Sequence, residues 1–371
     1  MNLDDLGRTI VQEIDYPKHM DYDYLEFLLD TLPRITPDDP ENPEWPSTPL
    51  IERTLKRNNQ EFRYYIKDES KNRNGATLKA RKAHELGPVF YRVFGENLYK
   101  QELNGTLSRV RIPRFTEITA GNNGLAQILT NEEYNLPPPN LILDINTPRE
   151  TLEALIGKRA NIYLVPLDYN VFTEKIGEPY TAEQQNMIAN NVDSHNITSS
   201  RIVNPHEDFY DWHFVAEIFN FAPDRVYGPY GSGEWFSNGI TWQRKTAYNG
   251  ELKKDPRLKI NPENVARISI IAAEPEQVMT SKANKLTGLK PFVYYSDNDI
   301  RGMKLARFTG KDTGILKVSE DYIDEGYKEM SKHCDTCYSG SSGMAGFLKD
   351  IDDKRINPYS KYIIVNSGRG I

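Results

Sequence analysis

The segment FRYYIKDESKNRNGATLKARKAHELG, from Phe62 to Gly87, decides the fold because it joins a strand pattern to a helix pattern through a turn. Its first eight residues, FRYYIKDE, alternate between apolar and polar positions, which is typical of a β-strand. After the turn at Asn74-Gly75, the spacing in TLKARKAHELG predicts a helix that ends at Gly87. A strand that passes through a turn into a helix is the basic unit of an α/β fold.

The same unit recurs along the chain. Further strand patterns are RIPRFTEIT, PNLILDI, ANIYLVP, DRVYGP, ARISIIAAEP and KYIIVNSGRGI, and helical patterns lie between them. We therefore expect an α/β protein with open, mainly parallel, twisted sheets and helices on both faces. The predicted domains are an N-terminal extension (residues 1–47, with the helix YDYLEFLLDTL), a larger domain (48–94 plus 196–371) and a smaller, mobile domain (95–195).

The composition excludes several classes of function. The chain has 371 residues, is 38% hydrophobic and carries a formal net charge of -7, which argues against a surface for binding nucleic acid. No apolar run approaches the roughly 18 residues that a membrane span needs. The acidic N-terminal sequence MNLDDLGRTIVQEID has no secretory signal pattern. These features predict a cytoplasmic protein that binds neither membranes nor nucleic acid.

The two cysteines, Cys334 and Cys337, are spaced as CDTC. With only His333 nearby, they are too few for a structural zinc site, and no metal site is predicted. A redox-active dithiol and two ordinary reduced thiols both remain open.

Three glycine-containing turns, RNGAT, TAGNNG and GPYGSGE, follow predicted strands. In open parallel sheets, ligand groups collect at the carboxyl ends of strands. The turn Gly231-Ser232-Gly233 could hold a phosphate on backbone N–H groups, although it lacks both the Walker pattern and GxGxxG. The loop Thr119–Gly124 could hold a carboxylate. Each turn taken alone is more typical of an ordinary tight turn or a helix cap than of a ligand site.

Lys79 gains significance from these turns. A lysine at one strand end, a phosphate cradle at a second and an amide-rich loop at a third are what an enzyme that uses pyridoxal phosphate requires. The lysine forms the Schiff base, the cradle anchors the phosphate, and the loop binds the substrate carboxylate.

The chain also resembles a known family at this point. Blocks of sequence from Thr48 onward resemble, in order, those of the cysteine synthase and cystathionine β-synthase branch of the fold-type II pyridoxal-phosphate enzymes. These blocks are TPLI, IKDESKNRNGATLKAR, EITAGNNGLA, VNPHED, PYGSGE, AAEPE, SGSSGMAG and VNSGRG. The resemblance implies the two-domain, tryptophan synthase β-like fold and pyridoxal 5'-phosphate as the cofactor.

The resemblance also implies roles for the cofactor-binding residues. Lys79 would form the aldimine with the cofactor, and Asn122 would hydrogen-bond its ring hydroxyl. The phosphate would lie on Gly231, Ser232 and Gly233. Ser341 would face the pyridine nitrogen, with Ser367 as the second candidate.

The substrate would be held by Thr119, Asn123 and the backbone of the loop that contains Ala120 and Gly121. This chain departs from the family pattern in several places. Ala120 replaces a serine, and Arg201 stands where a glutamine is usual, so it could pair with a second anion of the substrate or turn outward. Glu234 and Trp235 end the phosphate loop in place of small residues and threonine, and the segment between Gly75 and Lys79 is one residue longer.

The predicted activity is β-replacement on an O-activated serine, through an aminoacrylate, with sulfide or another small thiol or amine as the nucleophile. The position of Arg201 makes a phosphoserine-type substrate a variant of this prediction. A β-eliminating lyase, deaminase or racemase on the same scaffold is the first alternative. A catalytically silent partner protein is the second. The resemblance also implies a homodimer.

Overall fold

The computed structural model describes residues 9–17, 19–32, 47–72, 79–100, 109–178, 180–193, 196–197, 212–231, 235–236, 239, 243, 259–260, 262–265, 267–277, 280–283, 313–369 and 371. These residues form two main sheets and a two-stranded ribbon. Both main sheets are mostly parallel, so the predicted α/β class is confirmed.

The larger sheet has six strands. In spatial order they are β12 (Gly314–Val318), β11 (Ser269–Pro275), β10 (Arg225–Pro229), β13 (Tyr362–Asn366), β3 (Gln60–Asp68) and β2 (Leu50–Arg57). The first five are parallel, and β2 pairs antiparallel with β3. Asn58 and Asn59 connect these last two strands with positive φ angles of 53° and 59°, the backbone that a two-residue hairpin turn requires.

The smaller sheet has five strands. In spatial order they are β1 (Thr9–Gln12), β6 (Asn161–Val165), β5 (Asn140–Asp144), β4 (Arg114–Ile118) and β9 (Asn196–Ile197). All pair in parallel except β1, which is antiparallel to β6. The short strands β7 (Tyr169–Asn170) and β8 (Lys175–Ile176) form the separate ribbon.

The described helices lie between the strands. They are α1 (Tyr22–Thr31), α2 (Lys79–Lys100), α3 (Asn122–Glu133), α4 (Arg149–Leu155), α5 (Ala182–Val192), α6 (Trp212–Asn220), α7 (Pro262–Val265), α8 (Glu320–Met330) and α9 (Ser342–Asp352). Among the described residues, none of these helices is long and apolar enough to cross a membrane.

Both faces of the larger sheet are buried, which explains why its central strands are continuously apolar. In β10, Val226 packs in the apolar cluster that contains α6, whereas the next residue, Tyr227, packs in the cluster that contains α9. In β13, Ile363 packs in the first of these clusters and Ile364 in the second. Since successive side chains of a strand point to opposite faces, helices cover both faces of the sheet, as predicted.

One helix differs from its prediction. The sequence predicted that the helix after Lys79 ends at Gly87, but α2 continues through Gly87 and Pro88 to Lys100. A Cβ at Gly87 would lie 3.3 Å from Nε2 of Gln127, so glycine lets α2 approach α3 closely. Packing of α2 against α1 and α3 therefore outweighs the local tendency of Gly-Pro to end a helix.

The N-terminal residues contribute to the smaller sheet and its core. Strand β1 forms one edge of that sheet, and α1 coincides with the helix predicted there. Leu25 and Leu28 of α1 pack in one cluster with Tyr91 of α2 and Phe115 of β4. The predicted boundaries at residues 47, 94 and 195 stay a prediction.

Candidate functional site

Three of the predicted cofactor segments begin at one edge of the larger sheet. Strands β10, β13 and β3 are parallel neighbours, and their carboxyl ends are Pro229, Asn366 and Asp68. Gly231 lies two residues beyond β10, Ser367 directly follows β13, and the chain from β3 leads to Lys79. The sheet topology therefore directs these segments to one edge, as expected for a ligand site in a parallel sheet.

Asp68 and Asn366 join two of these strand ends. Nδ2 of Asn366 donates to Oδ1 of Asp68 at 2.8 Å and to the carbonyl of Asp335 at 3.0 Å. Oδ1 of Asn366 accepts the N–H of Gly368 at 3.2 Å. Both side chains are fully buried, so these bonds are shielded from water. The side-chain amide of Asn366 thus connects β3, β13 and the loop that leads to Ser341.

Lys67 and Glu69 form a second buried polar cluster at the end of β3. Nζ of Lys67 is paired with the carboxylate of Glu217 on α6 and donates to the carbonyl of Thr48 at 2.7 Å. The Glu69 carboxylate accepts hydrogen bonds of 2.5 Å from the hydroxyl of Thr48 and from the amide of Asn72. Lys67, Asp68 and Glu69 are each no more than 1% exposed.

Sequence reasoning missed this cluster. Its signal was three consecutive ionisable residues at the end of a strand, directly after the apolar Ile66. Because buried ion pairs rarely add net stability, we read the cluster as one that fixes the path of the chain. That path leads into the turn before Lys79.

Lys79 is the first residue of α2 and is half-buried. Residues 73–78, which include Gly75 and the longer segment before the lysine, lie outside the described residues. Because α2 packs against α3, the helix that carries Lys79 is attached to the helix that follows the predicted carboxylate loop. This contact connects the lysine to the smaller sheet.

The loop Thr119–Gly124 joins β4 to α3 and is shaped by one hydroxyl. Oγ1 of Thr119 accepts the backbone N–H groups of Gly121 at 3.1 Å and of Gly124 at 3.2 Å. Gly121 has a φ of 131°, a region that side chains rarely allow, which explains the glycine. Thr119 is buried, so the structure gives it a clear part in shaping the loop; its predicted contact with the substrate stays a prediction.

The remaining loop residues differ in their surroundings. Ala120 is exposed and supplies no hydroxyl. Nδ2 of Asn123 donates to the buried carboxylate of Glu117 at 3.4 Å. Oδ1 of Asn122, the residue predicted to bind the ring hydroxyl of the cofactor, accepts the backbone N–H of Ile371 at 2.8 Å. The sequence did not predict either the Glu117 or the Ile371 contact.

The predicted phosphate turn is described only at Gly231, since Ser232, Gly233 and Glu234 lie outside the described residues, as does Arg201. No atom of the described residues lies within 4 Å of the position that a Cβ on Gly231 would take. Trp235 turns inward, and its Nε1 donates to the carbonyl of Pro229 at 2.6 Å. A Cβ on Gly228 would lie only 2.6 Å from the ring of Trp235, so the ring packs directly on the backbone of this glycine. The tryptophan thus packs against the end of β10.

Ser341 and Ser367 lie in two loops that pack on each other. The N–H of Ser367 donates to the carbonyl of Gly340 at 3.4 Å, and a Cβ on Gly340 would lie 2.4 Å from the carbonyl oxygen of Gly368. Ser341 is buried, and its Oγ donates to the carbonyl of Tyr338 at 3.2 Å. The structure thus places both serines at the same edge, next to the end of β13.

Cys334 and Cys337 are both free thiols. Burial raises the pKa of the Cys334 thiol to about 12, so it is a poor nucleophile at neutral pH. Sγ of Cys337 accepts the N–H of Gly340 at 3.3 Å, which helps to shape the turn before Ser341. Within the part of the chain that the structure describes, no group of three or more His, Cys, Asp or Glu residues is placed to hold a metal ion.

Neither protein-family models nor curated protein sequences match this chain. Solved structures do. A pyridoxal 5'-phosphate-dependent aspartate racemase matches with a TM-score of 0.57 at 12% identity, over 90% of this chain and 94% of that chain. An O-acetylserine-dependent cystathionine β-synthase from Helicobacter pylori matches with a TM-score of 0.55 at 16% identity, over 91% and 96%.

A hydrogen sulfide-producing enzyme from Fusobacterium nucleatum matches with a TM-score of 0.55 at 18% identity, over 87% of this chain and 86% of that enzyme. At such low identities the likeness establishes the fold. The chain has the two-domain fold of the fold-type II pyridoxal-phosphate enzymes, and the fold predicted from the sequence blocks is confirmed.

Proposed function

We propose that this protein binds pyridoxal phosphate through Lys79 and transforms the side chain of a serine-type amino acid. The observation that carries the proposal is the convergence at one edge of the larger sheet. The segments that contain Gly231, Ser341 and Ser367 meet there, and the chain that leads to Lys79 leaves from it. The loop Thr119–Gly124 starts the helix that packs on the helix of Lys79.

The residues at this edge fit such a cofactor. Oδ2 of Asp68 and Oγ of Ser339 are buried there, and neither has a hydrogen-bond partner among the described residues. Gly231 follows β10, and no atom of the described residues lies within 4 Å of the position of a Cβ on it, so a phosphate could approach the backbone there. An edge with buried polar atoms and a glycine turn suits a ligand that carries both a polar ring and an anion.

Bound pyridoxal phosphate supplies an electron sink for the bonds at the α-carbon of an amino acid. The chain's own residues do the rest. Nζ of Lys79 attaches the cofactor, and after release it takes the α-proton as general base. The first N–H groups of α3 have no carbonyl partner within the helix, so they can bind the substrate carboxylate together with Asn123. Glu117 orients the side chain of Asn123 for this contact.

β-Replacement on an O-activated serine is the activity that the matches favour. The cystathionine β-synthase among them is O-acetylserine-dependent, and a further match at 15% identity is an O-ureido-L-serine synthase. In this reaction the β-carbon loses acetate or phosphate and gains a nucleophile such as sulfide.

Racemisation is the second candidate. An aspartate racemase matches over 90% of this chain and 94% of its own at 12% identity, and a serine racemase from Dictyostelium discoideum matches over 94% and 98% at 15% identity. A racemase requires proton transfer on both faces of the α-carbon, whereas β-replacement requires a leaving group. The products that form therefore distinguish racemisation from β-replacement.

Binding at Lys79 is the first test. Purified protein incubated with pyridoxal phosphate should turn yellow, and reduction with borohydride should leave the cofactor's mass on the peptide that contains Lys79. Lys79→Ala should lose both the label and turnover, because no other amine stands at this position. Lys100→Ala, at the opposite end of the same helix, is the matched control and should keep both. A wild-type protein that stays colourless overturns the proposal.

The products identify the reaction. With O-acetylserine and sulfide, we expect cysteine and acetate by mass spectrometry. Pyruvate and ammonia in the absence of a nucleophile would indicate elimination, and D-serine from L-serine on a chiral column would indicate racemisation. A yellow protein that converts none of these amino acids would favour a silent partner protein.

Two further parts of the proposal concern the substrate and the assembly. If Arg201 pairs with a phosphate on the substrate, Arg201→Ala should raise the KM for O-phosphoserine and leave the KM for O-acetylserine unchanged.

A homodimer is proposed as the assembly. Light scattering coupled to gel filtration would give twice the chain mass.

A further inference from the structure

Ile371 follows β13 in the chain and contacts the start of α3. Strand β13 lies in the middle of the larger sheet, whereas α3 lies next to the smaller sheet. There the backbone N–H of Ile371 donates to Oδ1 of Asn122 at 2.8 Å. Residues 249 positions apart thus meet at the loop that the proposed function assigns to the substrate and cofactor.

The side chain of Ile371 holds this contact in place. It packs against the apolar cluster of the smaller sheet, which includes Ile128, Leu141 and Leu155. A Cβ on Gly121 would lie 3.3 Å from both Cγ1 and Cδ1 of Ile371, so the side chain lies directly over the loop. The hydrogen bond and the apolar contact are separate observations, and both fix Ile371 against Asn122.

The chemistry of this bond sets the direction of the Asn122 amide. A backbone N–H can only donate, so the side-chain atom that faces it must be the carbonyl oxygen. The amide group is planar, and its nitrogen points away from its oxygen. Nδ2 is therefore the end of Asn122 that remains for a ligand, and Nδ2 is a donor that suits an oxygen with lone pairs.

We propose that Ile371 is a positioning residue, whose N–H holds the Asn122 amide so that Nδ2 donates to the ring oxygen of pyridoxal phosphate. The inference deepens the proposed function and rests on it. A rotated amide would present Oδ1 to the ring oxygen and repel it. The loss of one such bond should weaken the affinity about tenfold, which corresponds to about 1.4 kcal/mol and lies near the low end of what a hydrogen bond to a charged group contributes.

Two substitutions of Ile371 separate the N–H from the side chain. Ile371→Pro removes the donor but keeps an apolar ring, whereas Ile371→Val keeps the donor and trims one methyl group. We expect Ile371→Pro to raise the Kd of the protein for pyridoxal phosphate about tenfold and to shift the visible absorption band. Ile371→Val should bind with a Kd within about twofold of wild type. Equal Kd values for the two variants would overturn the inference.

Substitutions of Asn122 provide an independent arm that leaves residue 371 intact. Asn122→Asp keeps an acceptor for the Ile371 N–H but removes the donor, whereas Asn122→Ala removes both. Hydrogen exchange should therefore find the amide of Ile371 protected in Asn122→Asp and unprotected in Asn122→Ala, while both variants bind pyridoxal phosphate about tenfold more weakly. Wild-type affinity in Asn122→Asp would contradict the inference.

The double variant tests whether the two residues act together. In an Asn122→Ala background, Ile371→Pro should have no further effect on the Kd, because its N–H acts only through the amide. An equal effect in both backgrounds would mean that residue 371 acts by packing alone and would overturn the inference. A wild-type protein that takes up no pyridoxal phosphate overturns both this inference and the proposed function, whereas normal uptake with an unaffected Ile371→Pro variant overturns only the former.

Discussion

The edge of the larger sheet and the loop of the smaller sheet are held by different means. At the edge, the side chains of Lys67, Asp68, Glu69 and Asn366 are fully buried and form hydrogen bonds that link several strands. The loop depends on one hydroxyl, that of Thr119, and on the contact with Ile371. A cofactor needs a fixed platform, whereas a substrate must enter and leave. The difference therefore matches the two tasks that we propose.

Disruption of the buried polar side chains at the edge of the larger sheet should have the largest effect on stability. Lys67→Met leaves the carboxylate of Glu69 buried without its cation, and removal of one partner from a buried ion pair costs about 3–5 kcal/mol. We expect a free energy of unfolding lower by that amount in urea titrations, together with weaker uptake of pyridoxal phosphate. Lys56→Met, on the exposed side of β2, is the control and should change stability little. Equal stability of the two variants would mean that the buried ion pairs of Lys67 do not stabilise this edge of the sheet.

A change in the loop should have a smaller and more local effect. Thr119→Val is nearly isosteric but leaves the N–H groups of Gly121 and Gly124 without their acceptor, a cost of about 1–3 kcal/mol. We expect the KM for the amino-acid substrate to rise by a larger factor than the Kd for pyridoxal phosphate, because Asn122 in the same loop is also held by Ile371. Thr119→Ser retains the hydroxyl and should restore the KM. A Kd that rises by more than the KM in Thr119→Val would contradict the division of tasks.

The half-buried ion pair of Arg57 with Asp352, near the surface, offers a third, weaker case. Hydrogen bonds from Arg57 lower the pKa of Asp352 to about 2, below its ordinary value of 3.8. A lowered folded-state pKa adds stability that is present above pH 3.8 and is lost as the pH falls towards 2. The stability gap between wild type and Asp352→Asn should therefore narrow from pH 5 to pH 2 in urea titrations, and it should stay below about 1 kcal/mol. A gap that widens towards low pH would refute this assignment.

The sequence predicted the class of fold and the central strands of the larger sheet because the signals were local. Strands β10 and β11 lie within three residues of their predicted bounds, whereas β13 ends at Asn366 and not at Ile371, where the predicted strand ended. The extension of α2 beyond Gly87 was not predictable in this way, because its cause is contact with α1 and α3. Local propensity carries no information on such packing.

The candidate site was predictable in residue types but not in contacts. The order of the sequence blocks identified Lys79, Asn122 and Ser341 as candidates, because each lies in a short segment that resembles the family. The partners of these segments come from distant parts of the chain, as Ile371 does for Asn122 and Asn366 does for Asp68. Those pairings depend on sheet order, which a single sequence does not specify.

Helix α2 is long enough to connect Lys79 with residues next to the smaller sheet. The helix spans 22 residues, which corresponds to about 33 Å at 1.5 Å per residue. Lys79 lies at one end, and Tyr91, further along, donates its hydroxyl to the carbonyl of Pro113 just before β4. A tilt of about 5° would move one end by about 3 Å relative to the other, by the geometry of a rod of that length. We therefore expect a displacement of the smaller sheet to change the position of the Lys79 amine as well, since one helix connects the two.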